Sequence, residues 1–266
     1  MSVYRFELRR SLGGAASWTA VLLALLIGLM RAVYPVFNAS RADVERVLAG
    51  FPPEFSAAFG VSLDDMFSYG GFYAFAALYL TLLGTIMAAA LGIAIFAREK
   101  RAKCTDFLLT KPMTRGALFR QKLLAALTPL FCANLLYAAA TLWLYRTSGG
   151  LRVPVGNVLL ASGALFLTQV VMLSVAVTAA VLFRRVRSVS ALAMAIAFGA
   201  FVLSALQSIL KEEALRFLTP YRYFDVTAAF FDGRFEARYA LTAVLITVAL
   251  MAVSYAVYCK RDVPVA

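Results

Sequence analysis

The sequence predicts an all-α polytopic membrane protein. It has six transmembrane helices, an N-terminal interfacial helix, a short cytoplasmic helix between spans two and three, and short external helices before span six. Three observations carry this prediction. Hydrophobic residues make up 62% of the 266-residue chain, and the mean hydropathy of +0.81 lies outside the range of soluble domains. Apolar runs long enough to cross ~30 Å of hydrocarbon recur at about 17–34, 72–97, 116–145, 156–183, 189–210 and 239–259. They leave no room for a sizeable soluble domain, so residues 1–266 form a single transmembrane domain. Finally, the formal charge of +12 is unevenly placed. The side of the spans that holds both termini carries 16 Lys/Arg and four acids, and the other side carries ten of each. By the positive-inside rule both termini and the 98–122 stretch are cytoplasmic.

This charge distribution also excludes nucleic acid as a partner, because a nucleic-acid surface needs a folded basic face. Histidine is absent from the sequence, which removes imidazole metal ligands, histidine proton relays and Ser-His or Cys-His catalysis. Cys104, Cys132 and Cys259 fall at cytoplasmic or membrane positions and imply no external disulfide.

Residues 2–15 read as an interfacial helix, with Tyr4, Leu8 and Leu12 at i+4 spacing and Arg5 and Arg9 on a neighbouring polar line. The same residues also fit the basic flank of a signal anchor. Span one is closed by Pro35. Beyond it, Ser40 to Asp43 reads as a capping box, Val44, Val47 and Leu48 form an apolar face, and Pro52-Pro53 breaks the chain. Span two repeats small residues at Ala77, Thr81, Thr85, Ala88 and Gly92, with Gly84 beside them and Tyr73 and Tyr79 elsewhere on its surface. Small residues at that spacing let another helix approach closely. Packing within the chain, a subunit seam and a cavity wall all fit this pattern.

Residues 98–122 carry eight of the 26 Lys/Arg. Within them Thr105 serves as an N-cap, Asp106 suits a helix N-terminus, Phe107, Leu108 and Leu109 form an apolar core, and Pro112 stops the helix. A short helix of this kind, apolar on one side and basic around it, reads as a docking element that receives force from a soluble partner. Thr114 caps the next helix. Span three carries Pro129 and Asn134, and span four carries Gln169 near its centre, where amides join helices by hydrogen bonds. Arg184, Arg185 and Arg187 make a cytoplasmic turn. Span five repeats small residues at Ala191, Ala195 and Gly199. The amphipathic, aromatic segment 211–237, broken by Pro220, reads as two short helices dipping into the outer leaflet.

The spans hold essentially no charge at mid-depth, where Lys, Arg or Asp would cost about 2.5–3.5 kcal/mol. Such spans are poor equipment for a proton- or sodium-coupled carrier. No G-x-x-x-x-G-K-[ST] loop is present, and Asp64-Asp65 and Glu212-Glu213 read as solvated charges. Any uphill transport must draw its energy from another polypeptide.

The order of elements resembles the permease subunits of type-2 ATP-binding cassette transporters. That family's cytoplasmic pattern runs Glu, then Gly-Thr, then Leu-Leu, then Pro and Arg, and here Glu99, Thr105, Leu108, Leu109, Pro112 and Arg115 stand in those places. Gly71-Phe72-Tyr73, residues 220–224 and the terminal Tyr258 to Asp262 also look like the family. Cys104 departs from it, standing where the family has a glycine suited to positive φ. The resemblance implies two permease subunits, identical or paralogous, with two separate ATPase subunits that bind ATP and Mg. The permease itself would then hold no cofactor, metal or catalytic residue. It places the ATPase contact on Glu99, Thr105, Asp106, Phe107, Leu108, Leu109, Pro112 and Arg115, aided by the interfacial helix with Tyr4, Arg5, Leu8, Arg9 and Leu12. The dimer seam or substrate path would run along Tyr73, Ala77, Thr81, Thr85, Ala88, Ala195 and Gly199, among membrane lipid. An uncharged path rich in Phe, Tyr and Leu fits export of an amphiphilic peptide, lipid or hydrophobic drug. The alternative is a non-transporting scaffold or sensor whose basic loop binds anionic lipid or a soluble regulator.

Overall fold

Each long apolar run folds as a helix, and several begin on a side-chain cap. The hydroxyls of Ser2, Ser68, Thr114 and Ser188 accept hydrogen bonds from the backbone N–H groups of Arg5, Gly71, Ala117 and Ala191 at 3.0–3.4 Å, satisfying donors that a helix start leaves open. The computed structural model describes residues 2–48, 50, 52, 66–98, 114–148, 153–183 and 185–260. In order these are α1 (Val3–Gly28), a π-helical turn (Leu29–Val33), α2 (Tyr34–Ala39), α3 (Arg41–Leu48), α4 (Tyr69–Phe96), α5 (Arg115–Thr147) and α6 (Val155–Leu182). Then follow α7 (Val189–Leu210), α8 (Glu213–Arg216), a 3-10 turn (Pro220–Arg222), α9 (Val226–Phe231) and α10 (Ala237–Lys260). No strand occurs among the described residues. Among the described residues six helices are long and apolar enough to cross a membrane.

Three expectations about the N-terminal part are corrected. The 2–15 stretch is helical, but it is not a separate element, because α1 runs unbroken from Val3 through the first span. Its inward line is Glu7, Ser11, Ala15, Leu22 and Leu26. Arg5 and Arg9 are exposed, Tyr4 and Leu8 are half-buried, and Leu12 is 47% exposed. In the 2–15 stretch the inward positions are therefore polar or small, and the inward leucines come only later in the helix. Nor does Pro35 close the helix. The chain continues to Ala39 through the π turn immediately before it. Proline removes a donor and crowds the carbonyl four residues back, and the wider π turn accommodates both effects. The Ser40–Asp43 capping box is also absent. Asp43 pairs with Arg46 at 3.4 Å, and Ser40 serves through its carbonyl.

α4 and α6 form the centre of the bundle. Their most apolar stretches are 72% and 67% buried, against 17% for the first span and α7 and 11% for α10. They meet along Gly84, Ala88 and Gly92. A Cβ added at Gly84 would lie 2.7 Å from Gln169 Nε2 and from Leu165 Cδ1, and one at Gly92 would lie 2.9 Å from Leu173 Cδ1. Gln169 donates to the Gly84 carbonyl (3.0 Å) and accepts from Asn134 Nδ2 (2.5 Å), tying α4, α6 and α5 together. Tyr73 and Tyr137 join α4 to α5 at 3.3 Å, and Thr178 and Ser254 join α6 to α10 at 2.8 Å. Each such membrane hydrogen bond contributes about 0.6 kcal/mol on average and at most about 1.7.

Gly84→Leu should therefore damage the fold more than Gln169→Leu. Thermal unfolding in detergent should show a modest loss for Gln169→Leu, about 1 kcal/mol, and aggregation or a much larger loss for Gly84→Leu. Equal melting of both variants and wild type would contradict this packing.

Candidate functional site

The end of the bundle that carries the termini is held together by the charges flanking the 98–122 stretch. Arg98, two residues past the end of α4, pairs with Glu7 of α1 at 2.7 Å, and the Glu7 side chain is only 4% exposed. Lys122 of α5 is fully buried. Its ammonium donates to the Ile95 carbonyl (3.3 Å) and lies 5.8 Å from the Phe96 and Tyr258 ring centres. It thus places positive charge on an open carbonyl at the C-terminus of α4. Arg115 makes a similar contact at the last turn of α10, donating to the Cys259 carbonyl at 3.5 Å. Tyr4 ties α1 to α5, its N–H donating to Gln121 Oε1 and its hydroxyl meeting Thr128 Oγ1, both at 3.2 Å. These side chains join α1, α4, α5 and α10. The proposed docking residues Glu99, Thr105, Asp106, Phe107, Leu108, Leu109 and Pro112 lie outside the described residues.

At the opposite end the chain between α7 and α10 turns back into the bundle. Tyr221 sends its hydroxyl to within 2.5 Å of Thr85 Oγ1 and donates to the Ala197 carbonyl at 3.2 Å. At 1.5 Å rise per residue, Thr85 lies about 24 Å along α4 from Tyr69 and about 17 Å from Phe96, near mid-membrane. The 211–237 segment thus folds in against α4 and α7, with the Tyr221 side chain reaching farthest into the bundle. Buried backbone at that depth needs internal partners. Thr219 Oγ1 donates to Leu215 O (2.6 Å), Arg216 Nε donates to Arg222 O (3.3 Å), and the Tyr223 hydroxyl donates to Phe217 O. Arg216 also pairs with Glu236 at 2.7 Å and stacks 3.8 Å over the Tyr239 ring. Burial opposes the Glu236 charge, but hydrogen bonds and charge from Arg216 and Arg238 outweigh it and hold the carboxyl below its ordinary range. Asp225 caps α9, accepting from Thr227 N (2.8 Å) and Ala228 N (3.1 Å).

Between this re-entrant segment, α4 and α6 lies a half-open cavity of about 330 Å³. Ala77 and Thr81 of α4 and Thr168 of α6 line it, and Arg222, Asp225 and Thr227 supply polar groups.

The small-residue faces fall in different places from those expected of a single seam. Tyr73, Thr85 and Ala88 are at most 1% exposed and pack inside this chain, so the α4 face is an internal contact and a cavity wall. The face was read correctly as a site of close approach, but its partner is α6 and the re-entrant Tyr221, which arrive from far along the chain. Ala195 and Gly199 of α7 are exposed, and a Cβ added at Gly199 would meet nothing within 4 Å. Phe198 and Val202, 49% and 53% exposed, extend the same face. Sequence reasoning missed Glu7, Tyr221, Arg222 and Asp225. Glu7 did carry a signal, being the sole acid in the first 42 residues and flanked by three arginines.

Breaking a buried pair leaves an uncompensated charge. Glu7→Gln should therefore cost up to about 3 kcal/mol in thermal unfolding, and adding Arg98→Gln should recover part of the loss. Strictly additive effects would show that the two side chains do not interact.

A family model described as ABC-2 family transporter protein matches residues 1–263. No curated protein matches the chain.

Proposed function

The chain belongs to the ABC-2 family of transporter proteins, as a multi-pass permease component, and from that premise we propose that it is the membrane half of an ATP-driven exporter. Two copies, or one copy and a paralogue, assemble with two separately encoded ATPase subunits that bind ATP and Mg and carry out hydrolysis. Both termini and the 98–122 segment face the cytoplasm, as the charge asymmetry requires. The ATPases dock on Phe107, Leu108 and Leu109 and their flanking Glu99, Thr105, Asp106, Pro112 and Arg115. The exposed Arg5 and Arg9 of α1 lie on the same face of the membrane.

The observation that carries this reading is the bracing at both ends of the docking segment. Arg98 on one side and Arg115 and Lys122 on the other link it to α1, α4 and α10. A push on the segment is therefore delivered to four helices rather than absorbed by a loop. The outward face of α7, with Ala195 and Gly199, is the surface on which the second permease packs, and the cargo path follows that seam. The cargo is an amphiphile, such as a peptide, a lipid or a hydrophobic drug.

Leu108→Asp with Leu109→Asp should abolish co-purification of an ATPase from native membranes in mild detergent while leaving the permease folded. A well-folded wild type that brings down no ATPase would favour a scaffold that binds anionic lipid or a regulator. Ala195→Leu with Gly199→Leu should reduce cross-linking between permease copies, whereas Thr85→Val should leave it unchanged because Thr85 is internal. Cross-linking insensitive to the α7 changes would move the seam elsewhere.

A further inference from the structure

The cavity beneath the 211–237 segment is lined by two opposite charges, Arg222 and Asp225. Arg222 spends Nη2 on Ser208, and its Nε has no hydrogen-bond partner among the described residues. Asp225 uses Oδ1 for the two N–H groups of its helix cap. Arg222 and Asp225 both line the cavity, where the carboxylate attracts the guanidinium through its charge. A buried guanidinium nitrogen left without a hydrogen-bond partner is costly. A ligand of one sign would pair with only one of them.

The rest of the lining narrows the ligand. Ala74, Phe75, Ala77 and Leu78 give one apolar wall, and the hydroxyl residues Thr81 and Thr168 lie farther in. Thr81 is about 18 Å along α4 from Tyr69, and Thr168 about 20 Å along α6 from Val155, a depth reached by acyl chains. The volume of about 330 Å³ is at the small end for ligand sites, ~300–1,000 Å³. It suits a head group with the first part of its chains rather than a whole lipid.

We propose that this cavity binds the head of a zwitterionic phospholipid, with its phosphate on Arg222, its ammonium on Asp225 and its chains along the α4 wall. The site lies within one permease copy and is separate from the seam. Its test needs neither ATP nor a partner subunit, so it stands or falls independently of the exporter reading.

Delipidated protein in dodecyl maltoside would be titrated with dioleoylphosphatidylethanolamine, dioleoylphosphatidylglycerol or phosphoethanolamine lacking chains, and the bound species read by native mass spectrometry. Wild type should prefer the ethanolamine lipid by about tenfold or more, the scale of one charge-assisted hydrogen bond. Arg222→Gln should weaken both lipids. Asp225→Asn, which keeps a good helix cap, should remove the preference between them. Ala77→Leu fills the cavity without touching either charge and should weaken both lipids even if Arg222→Gln fails to fold. Equal affinity of wild type for the two lipids would overturn the proposal, as would unaltered ethanolamine-lipid binding in Ala77→Leu. Phosphoethanolamine binding as tightly as the lipid would overturn the assignment to a lipid.

Discussion

The close approach of α4 to α6 is the contact on which the rest of the molecule depends. In lipid there is no hydrophobic drive pressing helices together, so surface fit and buried hydrogen bonds must hold them. Gly84, Ala88 and Gly92 provide the fit, and Gln169 closes the seam by donating to the very glycine carbonyl it packs against. Any larger side chain at Gly84 would displace Gln169 and with it the bond to Asn134 of α5. One polar side chain thus fixes three helices, and the remaining spans assemble around this centre with much of their surface left to lipid or to a partner.

The position of α4 also decides what happens at the two ends of the bundle. At one end it carries Thr85 to the depth where Tyr221 meets it, so the segment before α10 must fold back into the bundle and satisfy its own backbone there. The cavity is the space this fold leaves beside α4. At the other end the last turn of α4 presents the Ile95 carbonyl and Arg98 to Lys122 and Glu7. Basic residues that read as a docking surface are thus divided. Arg98 and Lys122 brace helix ends inside the bundle, while Arg5 and Arg9 stay on its surface.

Roles set by single residues were legible before any coordinates. The Thr105 to Pro112 punctuation and its resemblance to the permease pattern are local chemistry, carried by neighbouring residues. Thr114 as a cap and Gln169 as a helix-joining amide follow from single positions and proved to act in those ways. Glu7, Tyr221, Arg222 and Asp225 escaped because their partners lie far along the chain or in another element. No spacing rule links Glu7 to Arg98 or Tyr221 to Thr85.

The sequence by itself determined the class, the number of spans, the approximate limits of five of them and the family. Hydrocarbon thickness converts apolar length directly into transmembrane helices, and positive-inside bias is a property of loops counted one by one. Only the tertiary structure decided which small-residue face was internal and which was left open. Ala88 and Gly199 look alike in sequence, because a small residue permits close approach without naming the helix that approaches. The tertiary structure likewise decided that the helical path of the first span continues past Pro35 through a π turn and α2, and that Arg222 and Asp225 share a cavity. Each of those outcomes depends on what packs against the residue, which one-dimensional spacing does not contain.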